Sequence, residues 1–141
     1  MLPSSHITAI IQGRSHRLLR STVSQALAKF GFNMTQWTLL CLVGEHEGIR
    51  LTEARLTLDV EAPLVTVVAH ELEQKGLVLS MPDERDARAK LLTVTDAGRE
   101  MLPKLEAAVQ ASLKPLVRGV TQAQLKEYFA VLEKIIANDK A

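Results

Sequence analysis

The stretch PLVTVVAHELEQKGLVLSMPDERDARAKLLTVT, Pro63 to Thr95, decides how the chain must be read. Pro63 suits the first turn of a helix, where its missing N–H costs nothing. Val65, Val68, Ala69 and Leu72 then recur at i, i+3, i+4 and i+7, which buries one helical face and leaves Thr66, Val67, His70, Glu71, Glu73 and Gln74 outward. Lys75-Gly76 supplies a cation and a left-handed stop. Beyond it, Leu77–Met81 and Leu91–Val94 are short strand candidates on either side of a charged tip, Asp83, Glu84, Arg85, Asp86, Arg88 and Lys90. Together they predict a hairpin.

Working upstream, Leu51–Leu58 is a short helix, and Thr35 precedes a helix through QWTLLCLVGEHEG, with Trp37, Leu40, Cys41 and Val43 on one face and Gly48 at its close. From Ser5 to about Phe30, apolar residues recur at helical spacing until Gly31 ends one long helix. Downstream, Thr95-Asp96 caps a helix that risks breaking at Pro103 and Pro115, and Thr121 with Gln124 forms a capping box for the last one. The fold class is therefore mainly α with a small β-hairpin: two helices joined by a tight turn and followed by a wing.

The totals exclude several function classes. One domain of 141 residues, 47% hydrophobic with net charge +1, suits a helix-rich globular chain. No apolar run reaches the ~20 residues of a membrane span, and the N-terminus lacks the features of a signal peptide, so a cytoplasmic protein is expected. The lone Cys41 excludes an intramolecular disulfide and a cysteine zinc cage, and sits in an apolar run that suits an inert thiol. The four histidines are scattered, and the His46 flanked by Glu45 and Glu47 points away from both neighbours on a helix, so neither a metal site, a cofactor nor catalytic residues are expected.

Residues Leu51 to Thr95, with the run HELEQKGLV, the wing pattern Asp86-x-Arg88-x-Lys90 and the exit LTVTDAGREML, resemble the MarR (multiple antibiotic resistance regulator) family of winged helix-turn-helix transcription factors. The resemblance implies a homodimer, with residues 1–33 and 96–141 as dimerisation helices and 34–95 as a DNA-binding lobe. It implies a transcriptional regulator, a repressor, that binds a double-stranded DNA operator and is released by a small aromatic or phenolic acid. The recognition helix would enter the major groove and the wing the minor groove. Arg88 would reach into that groove, oriented by Asp86, with Arg85 and Lys90 on phosphates. Pro63, Thr66 and His70 on the recognition helix, and Thr52 and Arg55 on the short helix, complete the DNA-facing set. Arg14, His16 and Arg17 near Trp37 could hold the effector; the alternative is a solvated or dimer-crossing stripe with Trp37 in the core.

The sequence departs from the family in one respect. Val67 and Glu71 stand where basic residues are usual, and between Glu61 and Lys90 four bases face six acids. Acids there would repel phosphate unless one accepted from a cytosine amino group. A second reading is therefore open: a MarR-like ligand-binding or interaction protein that has lost operator binding.

Overall fold

A computed structural model describes residues 4–46 and 48–139; the Glu47 side of the Glu45–His46–Glu47 cluster lies outside them. The chain runs α1 (Ser5–Ala28), α2 (Met34–Gly44), β1 (Ile49–Arg50), α3 (Leu51–Leu58), α4 (Ala62–Gln74), β2 (Val78–Asp83), β3 (Asp86–Val94), α5 (Asp96–Leu113) and α6 (Gln122–Asp139). This is the winged helix-turn-helix order expected from the sequence. The strands form one antiparallel sheet in the order β1-β3-β2, so the hairpin gains a third, two-residue strand that was too short to read.

Three details differ from the sequence reading. The cap of α2 is Asn33 rather than Thr35: Asn33 Oδ1 accepts from the Gln36 N–H at 2.8 Å, and Gln36 Oε1 accepts from the Asn33 N–H at 3.0 Å. That closed capping box satisfies donors a helix start otherwise leaves bare. The buried positions of α2 are Gln36, Leu39, Leu40 and Val43, with Trp37 and Cys41 only half-buried, because α2 is packed against α1, α4 and α5 and buries more than one stripe. Helix α5 passes unbroken through Pro103 and stops at Leu113, ahead of Pro115. The carbonyl that Pro103 leaves unpaired is tolerable because that side of α5 faces water, while Leu105 and Val109 anchor the other side.

Within the lobe the predicted pattern of α4 holds residue for residue, with Val65, Val68, Ala69 and Leu72 buried. They join Leu27, Phe32, Leu39, Leu40, Val43, Val78, Leu92, Leu105 and others in one cluster running from the end of α1 through the lobe to α5. Asp59, at φ 53°, turns α3 into the connection to α4, a left-handed position that aspartate tolerates.

The terminal helices are different. No residue of α6 is buried, and Phe129, Val131, Ile135 and Ile136 are each more than half exposed. On α1, Ile7, Ile10, Ile11 and Leu18 are exposed as well. An amphipathic helix draws its stability from packing rather than propensity, and among the described residues the apolar face of α6 is left largely uncovered, with only Leu125, Ala130 and Leu132 half-buried.

Candidate nucleic-acid interface

The outward face of α4 is a stripe of Pro63, Thr66, Val67, His70 and Gln74, opposite the buried Val65, Val68, Ala69 and Leu72. Thr66 Oγ1 donates to the carbonyl of Ala62 at 3.1 Å, so its hydroxyl hydrogen is used within its own helix. Val67 is 53% exposed.

Glu71 does not belong to that stripe. Its Oε2 accepts from Gln36 Nε2 at 2.7 Å, and the side chain lies half-buried against the start of α2. A carboxylate there also meets the positive end of the α2 dipole. The acid that threatened DNA contact is thus a strut between α2 and the recognition helix. Next along the same helix, Lys75 Nζ donates to the Gly31 carbonyl at 3.2 Å and sits 4.9 Å from the Phe32 ring centroid. The C-terminal half of α4 is held to the α1–α2 corner by both contacts.

Glu73 takes the other flank. It lines a cleft of about 230 Å³ together with Ser80, Met81, Pro82, Ala87, Arg88 and Lys90, so the wing cations stand across from it. Along β3, Arg88 and Lys90 share the strand face of the buried Leu92 and Val94, one period further out, beyond the core. That face looks towards α4.

The wing's charges divide into two groups. Strands β2 and β3 extend well into the charged segment, leaving Glu84-Arg85 as the turn. Asp83 is buried: its Oδ2 pairs with Arg50 Nη2 at 2.6 Å, and its Oδ1 accepts from the Arg85 N–H at 3.0 Å. Because β3 lies between β1 and β2, the Arg50–Asp83 pair ties the two edge strands across the middle one. Arg50 is therefore a sheet fastener. Asp86 also differs from expectation, since its Oδ1 accepts from the backbone N–H of Arg88 at 3.0 Å and so shapes the strand start rather than the guanidinium. Arg85, Asp86, Arg88 and Lys90 are all exposed.

The backbone N–H of Arg85, and then the Arg50 guanidinium, hold the Asp83 carboxyl below its usual value, against the opposing effect of burial. A carboxyl with a depressed folded-state pKa contributes stability that is fully present above its unfolded value, about 3.9, and is lost as pH falls through the folded value. Asp83→Asn is expected to lower the thermal midpoint at roughly pH 7, and that difference from wild type shrinks progressively as pH falls below about 3.9 and through the folded-state value. A difference that stays constant over that range would remove the electrostatic role.

On the short helix, Thr52 is exposed and Arg55 half-buried. The residues expected to hold an effector do not all come together. Arg14 and Arg17 line an open groove of about 630 Å³ with Ile10, Ile11, Ser15 and Leu18, all on α1. His16 is exposed but outside that lining, and Trp37 packs against the core with a buried Nε1–H that finds no acceptor among the described residues. The Cys41 thiol is pushed up to about 11, first by burial and then by Glu106 and Glu45, which keeps it protonated and unreactive near neutrality. Among the described residues no group of His, Cys, Asp and Glu could hold a metal ion, and no helix is long and apolar enough to cross a membrane.

Comparison with known proteins agrees with this geometry. Residues 32–90 match the family model described as MarR family. The HTH-type transcriptional repressor Rv2887 of Mycobacterium tuberculosis is 26% identical over 118 residues, covering 84% of this chain and 85% of that one. CouR from Rhodococcus jostii RHA1, solved bound to p-coumaroyl-CoA, superposes with a TM-score of 0.83 at 24% identity over 91% of this chain and 90% of its own. A mutant MarR from E. coli, solved in complex with operator DNA, gives 0.76 at 20% identity over 94% and 99%. The two structural likenesses establish the fold, and the family model adds a likeness to the MarR family over the helix-turn-helix and most of the wing, residues 32–90.

Proposed function

We propose that the chain is a homodimeric repressor that binds double-stranded operator DNA through α4 and the β2–β3 wing. The observation that carries this reading is the division of charge in the lobe. Arg85, Arg88 and Lys90 are exposed on the wing, whereas Glu71 is committed to Gln36 and Asp83 to Arg50. Two of the six acids counted between Glu61 and Lys90 are thus committed within the fold, leaving four acids against four bases, which weakens the motive for a member that has lost operator binding.

In this reading α4 lies in a major groove with Pro63, Thr66, Val67 and His70 towards the bases. Arg88 enters the adjoining minor groove, where a narrow A·T-rich tract concentrates negative potential. Arg85 and Lys90 neutralise phosphates, and Thr52 and Arg55 on α3 approach the backbone. Residues 1–33 and 96–141 pair the two subunits, covering the apolar faces of α1 and α6. A small aromatic or phenolic acid acts as effector; the p-coumaroyl-CoA bound by CouR carries a phenolic acyl group, as a thioester, and supports the phenolic part of that reading. Of the four residues first considered, Arg14 and Arg17 are kept as its carboxylate partners, because they share one groove with apolar neighbours.

Arg88→Ala tests the wing. Titrated against an operator fragment at several salt concentrations, it is expected to lose about 1–3 kcal/mol of affinity, with the largest loss on A·T-rich flanks. Unchanged affinity for that variant would refute the minor-groove assignment.

A further inference from the structure

We infer that the recognition helix reads its operator chiefly through thymine methyl groups, with Val67 and the Thr66 methyl as the specificity-determining contacts. This rests on the proposed operator binding and goes beyond it by naming the chemistry of the readout.

A recognition helix contacts base edges mainly with the residues of its N-terminal turns. In α4 those turns expose Ala62, Pro63, Leu64, Thr66 and Val67, with Ala62 and Leu64 off the outward stripe. Pro63 and Val67 have no side-chain hydrogen-bonding group. Thr66 has one, but its hydrogen is spent on the Ala62 carbonyl at 3.1 Å, so no donor remains for an acceptor on a base. Glu71, which could have accepted from cytosine, is held by Gln36 at 2.7 Å. Polar groups return to the stripe only at His70 and Gln74, further along the helix. In the major groove, the feature of a base pair that an apolar side chain can distinguish is the C5-methyl of thymine. Val67 is 53% exposed, and in the groove it would remove a methyl group from water.

The probe is a duplex recovered by selection from random DNA, resynthesised with deoxyuridine in place of each thymine in turn. That change deletes the methyl and leaves every hydrogen-bonding group of the pair intact. Deoxyuridine at one or two positions per half-site is expected to weaken binding of the full-length protein roughly four-fold each, the worth of one buried methyl group. Val67→Ala or Thr66→Ser should weaken binding of the thymine duplex by a similar factor and abolish the deoxyuridine effect at the matching position. Thr66→Ser keeps the hydroxyl, so it separates the methyl from the hydrogen bond. The inference is overturned if no deoxyuridine substitution changes affinity, or if both variants retain the full deoxyuridine penalty everywhere. A protein that enriches no fragment fails earlier, at operator binding itself, and takes this inference with it.

Discussion

Gly98→Ala is expected to destabilise the fold by about 3 kcal/mol, although alanine is the better helix former by about 1 kcal/mol. Gly98 stands in the first turn of α5, where a β-carbon would lie 2.3 Å from the Leu77 carbonyl oxygen and 2.6 Å from Val94 Cγ2. The first of these neighbours is backbone, and it is already fixed: the Leu77 carbonyl accepts from the Thr95 N–H at 3.0 Å, and Thr95 Oγ1 both donates to the Gly76 carbonyl at 2.6 Å and accepts from the Gly98 N–H at 3.1 Å. Neither strand nor helix can give way without breaking that junction. Overpacking therefore outweighs propensity. Urea unfolding of the variant gives the sign directly; a gain of stability would mean that the wing and α5 are further apart than described.

Phe129→Asp combined with Ile135→Asp is expected to dissociate the subunits by roughly a hundred-fold or more, since an unpaired carboxylate buried in an apolar interface costs several kcal/mol. Both side chains are more than half exposed in the single chain, and no described residue of α6 is fully buried within it. The lobe should accordingly keep its cooperative unfolding while sedimentation shows a monomer and circular dichroism shows lost helix. Operator affinity should fall with it, because two half-sites can then no longer be held at once. A variant that sediments as a dimer at micromolar concentration would place the subunit contact elsewhere.

How far the sequence revealed these features depended on the range of the interaction. The core face of α4 was legible because a single helix face is buried, and 3.6-residue spacing reports that alone. The Thr121–Gln124 capping box was legible for the same reason, since both partners lie within one turn. Glu71 and Asp83 were misread because their partners are remote: Gln36 lies 35 residues from Glu71, and Arg50 sits in a strand of only two residues. A charge counted along the chain looks solvated until the fold supplies its partner. Helix α2 hid its cap and its buried set because a nearly all-apolar helix has no periodic signal. Of the candidate DNA contacts, the structure gathers Arg88 and Lys90 around one cleft with Glu73 and reassigns Asp86 to a backbone role. The candidate effector set divides, with Arg14 and Arg17 in one groove, His16 outside its lining, and Trp37 half-buried against the core.

Selection of bound fragments from random DNA by the intact protein is the most direct measurement of the whole reading. An inverted repeat is predicted, with half-sites about 10 base pairs apart centre to centre and A·T-rich steps where the wings fall. Recovery of a lone half-site, or of no preferred sequence at all, would contradict a dimer that sets two α4 helices into successive major grooves.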